Sequence, residues 1–384
     1  MELQPITPQP GNDRNPANFV GRIEMTTRAR ERLLAGSNLL LTDPRRMGKT
    51  FWMRTFAARE QSFHSYFIDY EGTETVDGFL IKTAEVLIRD RSLPLRARKQ
   101  LETIFDNSEI SLSKGPLAIK GYFQQTSPHH LLTRVLSALE NEDNKTIPIV
   151  MMDEVPMAIN NIAVREGTSS AERVLQTLRA LRQDTSRIRW IVTGSIGFHH
   201  VLRRIDATQG VLNDLESLPL GPLAHIEAEE LAKRLLLGIK QPTIDTVVNE
   251  LIEVSGGVPF LLHKIVKTLD ERHKNVINPH DVRECFEDFI DDPDEFSWFE
   301  HYLTRMPSNY DSRARIANDI LRKALSETNM WVSIETLAPN EEAAATLDDL
   351  IKDHYLERRG HSVRWRYPAL QYIWARKKGV WDRR

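Results

Sequence analysis

One cysteine, Cys285, stands in 384 residues, so no intrachain disulfide can form. Such sparing use of thiols suits a reducing compartment, and the expectation is a cytoplasmic protein. No apolar run approaches the roughly 20 residues that a membrane-spanning helix requires. The opening stretch MELQPITPQPGNDRNPANF has no apolar core of the kind that marks a secretion signal. Charge of one sign is also lacking. A formal net charge of −3 gives no overall field that would draw the chain onto nucleic acid or an anionic membrane. Any such contact has to come from a local patch. Internal repeats and low-complexity tracts are absent too. The remaining composition is that of a globular chain long enough for two or three domains with buried cores. Residues 1–17, rich in Pro, Asn and Gln, read as a flexible arm, extended or disordered.

The stretch NLLLTDPRRMGKTFWMRTF, residues 38–56, carries the strongest chemical signal. NLLL is a short apolar run of the kind that forms a buried parallel strand. Phe51, Met53 and Phe56 follow with helical spacing. Strand, loop and helix in that order are the setting that a phosphate-binding loop needs. Backbone N–H groups of Pro44-Arg45-Arg46-Met47-Gly48 and of the helix start (Pro44 itself contributing only a fixed φ) would face phosphate oxygens, where the helix dipole favours negative charge. Gly48 lets the backbone come close without a Cβ. Lys49 would reach the β- and γ-phosphates, and the Thr50 hydroxyl would be a Mg²⁺ ligand. Asp43 stands where the motif has glycine. Its carboxylate either repels a triphosphate or ends the strand, caps the turn and faces away, with Arg45 and Arg46 at hand to neutralise it. The second alternative is the preferred one. The first implies a weak or non-hydrolysing site.

About a hundred residues further on, TIPIVMMDEVPMAI supplies an apolar strand ending in two acids. Asp153 is the candidate Mg²⁺ ligand, and Glu154 the candidate general base that polarises an attacking water. A third strand, IRWIVTGSIGF, ends in small polar residues. Ser195 or Thr193 there could touch the γ-phosphate or the lytic water, while Ser195 could equally be a helix N-cap. Arg203 and Arg204, one helix later, are candidates to act in trans on a neighbour's γ-phosphate. Arg45 and Arg46 more naturally shape the loop.

NFVGR, DPRRMGKT, IVMMDE, IVTGS and SGGVPFLL occur in that order. Together they resemble the AAA+-related P-loop ATPases of the STAND and archaeal-ATPase type, with likeness also to origin-recognition initiator ATPases. The resemblance spans Asn18 to about Leu262. It implies that Phe19, Val20, Gly21 and Arg22 lie near the base, with Phe51 in the nucleotide site as well. It implies that Pro259 closes over the nucleotide from a helical lid. ATP and Mg²⁺ are the implied ligands. The departure at Asp43 puts affinity and turnover in question more than fold.

The expected architecture is α/β: a P-loop NTPase parallel sheet with helices on both faces, then a helical lid and a C-terminal winged-helix domain. Strands are expected at 38–42, 65–69, 147–153, 188–194 and 216–220. The boundaries are 18–223 for the ATPase domain, with an insertion at about 90–127, then 224–292 for the lid and 293–384 for the winged helix. From Arg358 onward nine Lys/Arg face one acid, interleaved with Trp365, Tyr367, Tyr372, Trp374 and Trp381. That mixture suits double-stranded DNA. The aromatics serve equally well as the core of a small wing, and in STAND proteins the winged helix often packs on the ATPase as a clamp. Three functions compete. The first is an ATP-driven switch controlling assembly with a protein partner, as in defence systems or mobile elements. The second is a DNA-loading initiator or transposition regulator. The third is a nucleotide-binding scaffold without turnover. A homo-oligomer is expected, because an arginine acting in trans needs a neighbour.

Overall fold

The computed structural model describes residues 3–89, 128–140, 146–194, 197–296, 306, 310–325 and 330–379. The expected insertion at 90–127 therefore lies outside the described residues, as do Ser195 and Trp381. By internal packing the chain divides into two compact units. One comprises residues 24–42 and 52–219, the other 1–23, 43–51 and 220–384.

The first unit is a five-stranded parallel sheet. Its strands are β1 (Asn38–Leu41), β2 (Phe63–Asp69), β3 (Ile147–Asp153), β4 (Arg189–Thr193) and β5 (Leu215–Ser217), in the order β2-β3-β4-β1-β5. Side chains alternate across each strand, and both faces are buried. Tyr66, Ile68, Val150, Met152, Trp190 and Val192 belong to one continuous core cluster. Ile149, Met151 and Ile191 alternate with them and are equally inaccessible, as are Leu39 and Leu41. A strand covered on both faces reads as an unbroken apolar run, which is why NLLL and IPIVMM are legible as parallel strands. The helices alternate with the strands: α1 (Ile23–Ala35), α2 (Lys49–Arg59), α3 (Val76–Arg89), α4 (Pro128–Glu140), α5 (Val155–Glu166), α6 (Thr168–Asp184) and α7 (Phe198–Arg204). Trp52 and Phe56 of α2 pack with Phe63 of β2, ring to ring, and the Trp52 indole donates to Thr26 of α1 at 3.0 Å. All five expected strands are present. β5 ends at Ser217, short of the expected Leu220, because Pro219 cannot donate to a ladder.

In the second unit, four helices form the lid: α8 (His225–Gly238), α9 (Asp245–Ser255), α10 (Pro259–Glu271) and α11 (Pro279–Asp291). Their ends are written in the sequence. Pro259 and Pro279 occupy first turns, where a missing N–H costs nothing. Asn278 and Asp281 form a reciprocal capping box, and Gly256 closes α9 in the left-handed region at φ 57°. A short helix α12 (Pro293–Phe296) follows. The C-terminal winged helix then runs α13 (Ala314–Lys323), β6 (Val332–Ser333), α14 (Ile334–Leu337), α15 (Glu341–Lys352), β7 (Leu356–Arg359), β8 (Ser362–Trp365) and α16 (Pro368–Lys377), with sheet order β6-β8-β7. Trp365, Tyr367 and Trp374 are its core. They are packing residues, and the phosphate-facing role that the sequence allowed them is set aside.

Residues 3–9 run extended along the lid. Ile6 is buried, its N–H donates to Arg234 O at 2.9 Å, and the Gln9 N–H donates to His263 Nδ1 at 3.1 Å. The expected loose arm is thus tied down, because one apolar side chain and two backbone bonds anchor it. Among the described residues no helix is long and apolar enough to cross a membrane.

Candidate functional site

Lys49 is the first residue of α2, directly after Gly48 at φ 88°, a value that disfavours any side chain. A Cβ at Gly48 would meet nothing within 4 Å, so open space lies beside this bend. The Lys49 ammonium is buried and donates to the main-chain oxygens of Asp43 and Pro44, the latter at 2.8 Å. It is folded back onto the carbonyls of its own loop. Thr50 is exposed in the first turn of α2. Phe51 meets Phe19 edge to face at 5.1 Å, so the two expected base-side residues are neighbours. Val20 is buried.

The Asp43 carboxylate does not lie along the phosphate path. It is fully buried and accepts the N–H groups of Leu220 at 2.6 Å and Gly221 at 3.0 Å, in the segment that leads into α8. Burial on its own would push this carboxyl up. His354, the two backbone donors and Lys49 together outweigh burial and hold it below the usual carboxylate range. The sequence reading looked to Arg45 and Arg46 for compensation. A cation that acts on it lies in the loop itself, at Lys49.

Arg22 completes this cluster. It sits at φ 63° with its guanidinium buried, donating to Leu220 O, to Pro222 O at 3.2 Å and to Met47 O at 3.1 Å. Burial lowers it to about 10, while Asp43, Glu227 and Tyr367 pull the other way, so it stays charged at neutral pH. Its own N–H donates to Glu227 at 2.5 Å, and Glu227 also accepts the Ala224 N–H at 3.0 Å. Gly21, at φ 72°, is required here, since a Cβ would stand 2.7 Å from the Glu227 carboxyl carbon.

Arg46, at φ 71°, lays its guanidinium over the Phe260 ring at 4.8 Å. Phe260 directly follows Pro259, so this contact brings the start of α10 to the loop. Arg45 is half-buried in the same turn.

The winged helix reaches the same cluster. His354, in the turn between α15 and β7, is buried and lowered to about 4, by desolvation first; Asp43 acts in the opposite sense. Arg366 Nη1 lies 2.6 Å from His354 Nδ1 and can only donate, so that nitrogen is an acceptor and the imidazole is neutral. Tyr367 is buried beside Asp43 and Arg22, and its phenol is raised by burial. Glu227, His354 and Tyr367 were not legible as site residues. Each is some two to three hundred residues from the loop, and no motif marks them.

In the first unit, β3 ends at Asp153, which is buried and accepts the Glu154 N–H at 3.0 Å. Glu154 stands at φ 57° between strand and helix, an uncommon conformation for a side-chain-bearing residue. A Cβ on Gly194, at the end of β4, would overlap the Pro156 ring, so the turn after Asp153 packs tightly on the end of β4. Thr193 has a buried hydroxyl there. Arg204 donates to Asn160 of α5, and Arg203 is exposed on α7.

The donors in each unit, taken separately, suit the expected ligands. A hydroxyl and a carboxylate are the hard oxygen donors that Mg²⁺ takes, and an ammonium at a helix N-terminus beside open space suits a polyphosphate. Sheet order, loop and strand-terminal acids define a P-loop NTPase fold, with a winged helix at the C-terminus.

Neither protein-family models nor curated protein sequences give a match to the chain. Solved structures do. A Walker-type ATPase of Pyrococcus abyssi superposes with a TM-score of 0.64 at 17% identity, over 97% of this chain and 98% of that one. The ORC2 protein of Aeropyrum pernix gives 0.48 at 13% identity over 96% and 99%. The RuvB Holliday junction branch migration motor of Thermotoga maritima gives 0.44 at 12% identity over 98% and 100%. The chain has the fold of the Pyrococcus Walker-type ATPase along almost its whole length.

Proposed function

We propose that the protein is an ATP-binding and ATP-hydrolysing molecular switch, in which the nucleotide state of the loop controls the lid and winged helix, and through them assembly with a protein partner. The observation that carries this reading is the Lys49 ammonium, held by the Asp43 and Pro44 carbonyls at the N-terminus of α2. An ammonium in that place exchanges two neutral acceptors for phosphate oxygens when ATP enters, a charge-assisted and stronger interaction. Domain boundaries of 18–223, 224–292 and 293–384 go with it, as does a cytoplasmic location.

Each residue then has a task. Backbone N–H groups from Arg45 to Thr50 cradle the phosphates, and Phe19 and Phe51 offer apolar surface to the base. Thr50 and Asp153 would hold Mg²⁺, which when bound offsets phosphate charge. Glu154 takes a proton from the attacking water, and Thr193 or Ser195 orients it. Arg203 or Arg204 reaches a neighbouring subunit's γ-phosphate in a homo-oligomer.

A second reading keeps duplex DNA as a ligand. It is favoured by the exposed Arg358, Arg359 and His361 at the tip of the β7–β8 wing. Other basic residues of the region are engaged within the unit. Arg364 pairs with Glu357, Arg376 pairs with Asp291, and Lys377 lies over Phe296 at 4.1 Å. The engaged residues support a clamp that packs on the lid, while the wing tip is the exposed basic feature that would suit DNA. The third reading, a scaffold without turnover, loses its motive, since the Asp43 carboxylate is committed elsewhere.

Phosphate release from wild type and Glu154→Gln, with and without duplex DNA and over a range of protein concentration, tests these readings. Turnover per subunit that rises with concentration and vanishes in the variant is expected. Stimulation by DNA would favour the second reading, and bound ATP without turnover would favour the third.

A further inference from the structure

Leu220, Gly221 and Pro222 connect the sheet's last strand with the first lid helix, and Asp43 of the phosphate loop and Arg22 both grip this segment. The Asp43 carboxylate takes the N–H groups of Leu220 and Gly221, while the Arg22 guanidinium takes the carbonyls of Leu220 and Pro222 and, with its other nitrogen, Met47 O. Gly221 adopts φ 65°, and Leu223 donates to Gly257 O at 2.9 Å, so the segment is pinned again at the base of α10. A Cβ on Gly257 would stand 2.7 Å from Leu223 O, which leaves no slack at that point. The same residue 43 whose side chain holds the segment offers its main-chain oxygen to Lys49.

We propose that Asp43 is a positioning residue that couples phosphate binding to the lid hinge at 220–222, its carboxylate latching the hinge while Lys49 rests on its carbonyl and releasing it when phosphate draws Lys49 away. The inference rests on the nucleotide reading of the loop. Residue 43 is held through two groups at once, backbone oxygen by Lys49 and carboxylate by the hinge. Losing the first hold frees its backbone to turn, and turning by one peptide withdraws the carboxylate from two donors 2.6 and 3.0 Å away. A glycine in this position would leave loop and hinge without this link. The substitution that looks like damage in the motif therefore supplies a connection that glycine cannot make. Linkage makes the effect reciprocal: whatever weakens the latch strengthens ATP binding.

Amide hydrogen exchange on the full chain, read at Leu220 and Gly221 with and without Mg·ATP, tests the proposal. In wild type, ATP should speed exchange of these two amides by about tenfold or more, as expected when a local hydrogen-bonded closure opens. Asp43→Asn keeps the volume but can accept at one side-chain oxygen only. It should exchange faster than wild type without nucleotide, respond little to ATP, and bind ATP more tightly. ATP that binds wild type while leaving these amides unchanged or slower would overturn the latch, and that experiment needs no variant. An Asn variant with wild-type affinity and the full ATP response would overturn it as well. Failure of wild type to bind ATP at all would instead remove the nucleotide reading on which the latch stands.

Discussion

The Asp43 carboxylate accepts the N–H of Leu220, 177 positions further along the chain, at 2.6 Å. The bond converts the anomalous residue of the phosphate loop into the anchor of the lid hinge. Asp43→Gly would leave the Leu220 and Gly221 N–H groups buried without acceptors, at about 1–3 kcal/mol each. A lowered melting temperature in thermal unfolding is expected, together with ATP affinity equal to or above wild type. A large loss of affinity in a folded variant would contradict this account.

Gly194→Ala addresses the ends of β3 and β4, where the proposed general base stands. The added Cβ overlaps the Pro156 ring, and the adjustment must move the start of α5, where Glu154 stands at φ 57°. Turnover should fall about tenfold or more, the effect of misplacing a general base, while ATP binding measured by calorimetry changes little. Equal loss of binding and turnover would place Gly194 in the packing of the unit as a whole.

Arg376 of α16 pairs with Asp291 of α11 through two nitrogens, at 3.1 and 2.5 Å, and Tyr372 stacks with Phe286 beside it. Arg376→Ala should release the C-terminal helix from the lid. Limited proteolysis is expected to cut the C-terminal region several-fold faster, with a stability loss of about 1 kcal/mol, the range of a partly exposed bidentate pair. Unaltered proteolysis would mean that apolar packing alone holds the clamp.

His263 and His354 give a pH dependence with a defined sign. Desolvation lowers both from 6.5 to about 4; Asp13 opposes this at His263, and at His354 Asp43 and Asp353 oppose it while Arg366 and Lys49 reinforce it. The unfolded chain therefore binds more protons than the folded chain between these values. Stability is fully present above about 6.5 and is lost as pH falls toward 4, with a limiting slope of about 1.4 kcal/mol per pH unit for each group. Protonating His263 Nδ1 also ends its acceptance of the Gln9 N–H. Thermal melts from pH 7 to 4.5 should show the loss, and His263→Gln should flatten part of it. A slope in His263→Gln equal to that of wild type would contradict the assignment.

The P-loop sheet was readable because its strands are buried on both faces and so appear as apolar runs. The lid and wing were readable through punctuation: Pro259, Pro279, Gly256 and Gly360, between β7 and β8, each mark an end. The docking of the arm depends on one side chain, Ile6, and a single apolar residue among prolines has no periodicity to betray it. The cluster around Asp43 was not readable, because Arg22, Glu227, His354 and Tyr367 are brought together by tertiary packing. A motif predicts what a residue does when its neighbours in sequence decide its surroundings. At Asp43, Leu220 decides them.

The proposed switch stands or falls with ATP binding at the loop that ends in Lys49. Calorimetric titration of Mg·ATP into wild type and Lys49→Ala, with circular dichroism to establish that the variant is folded, is the measurement to make. Saturable binding by wild type and none by the folded variant is expected. Equal affinity in the two would remove the site from this loop.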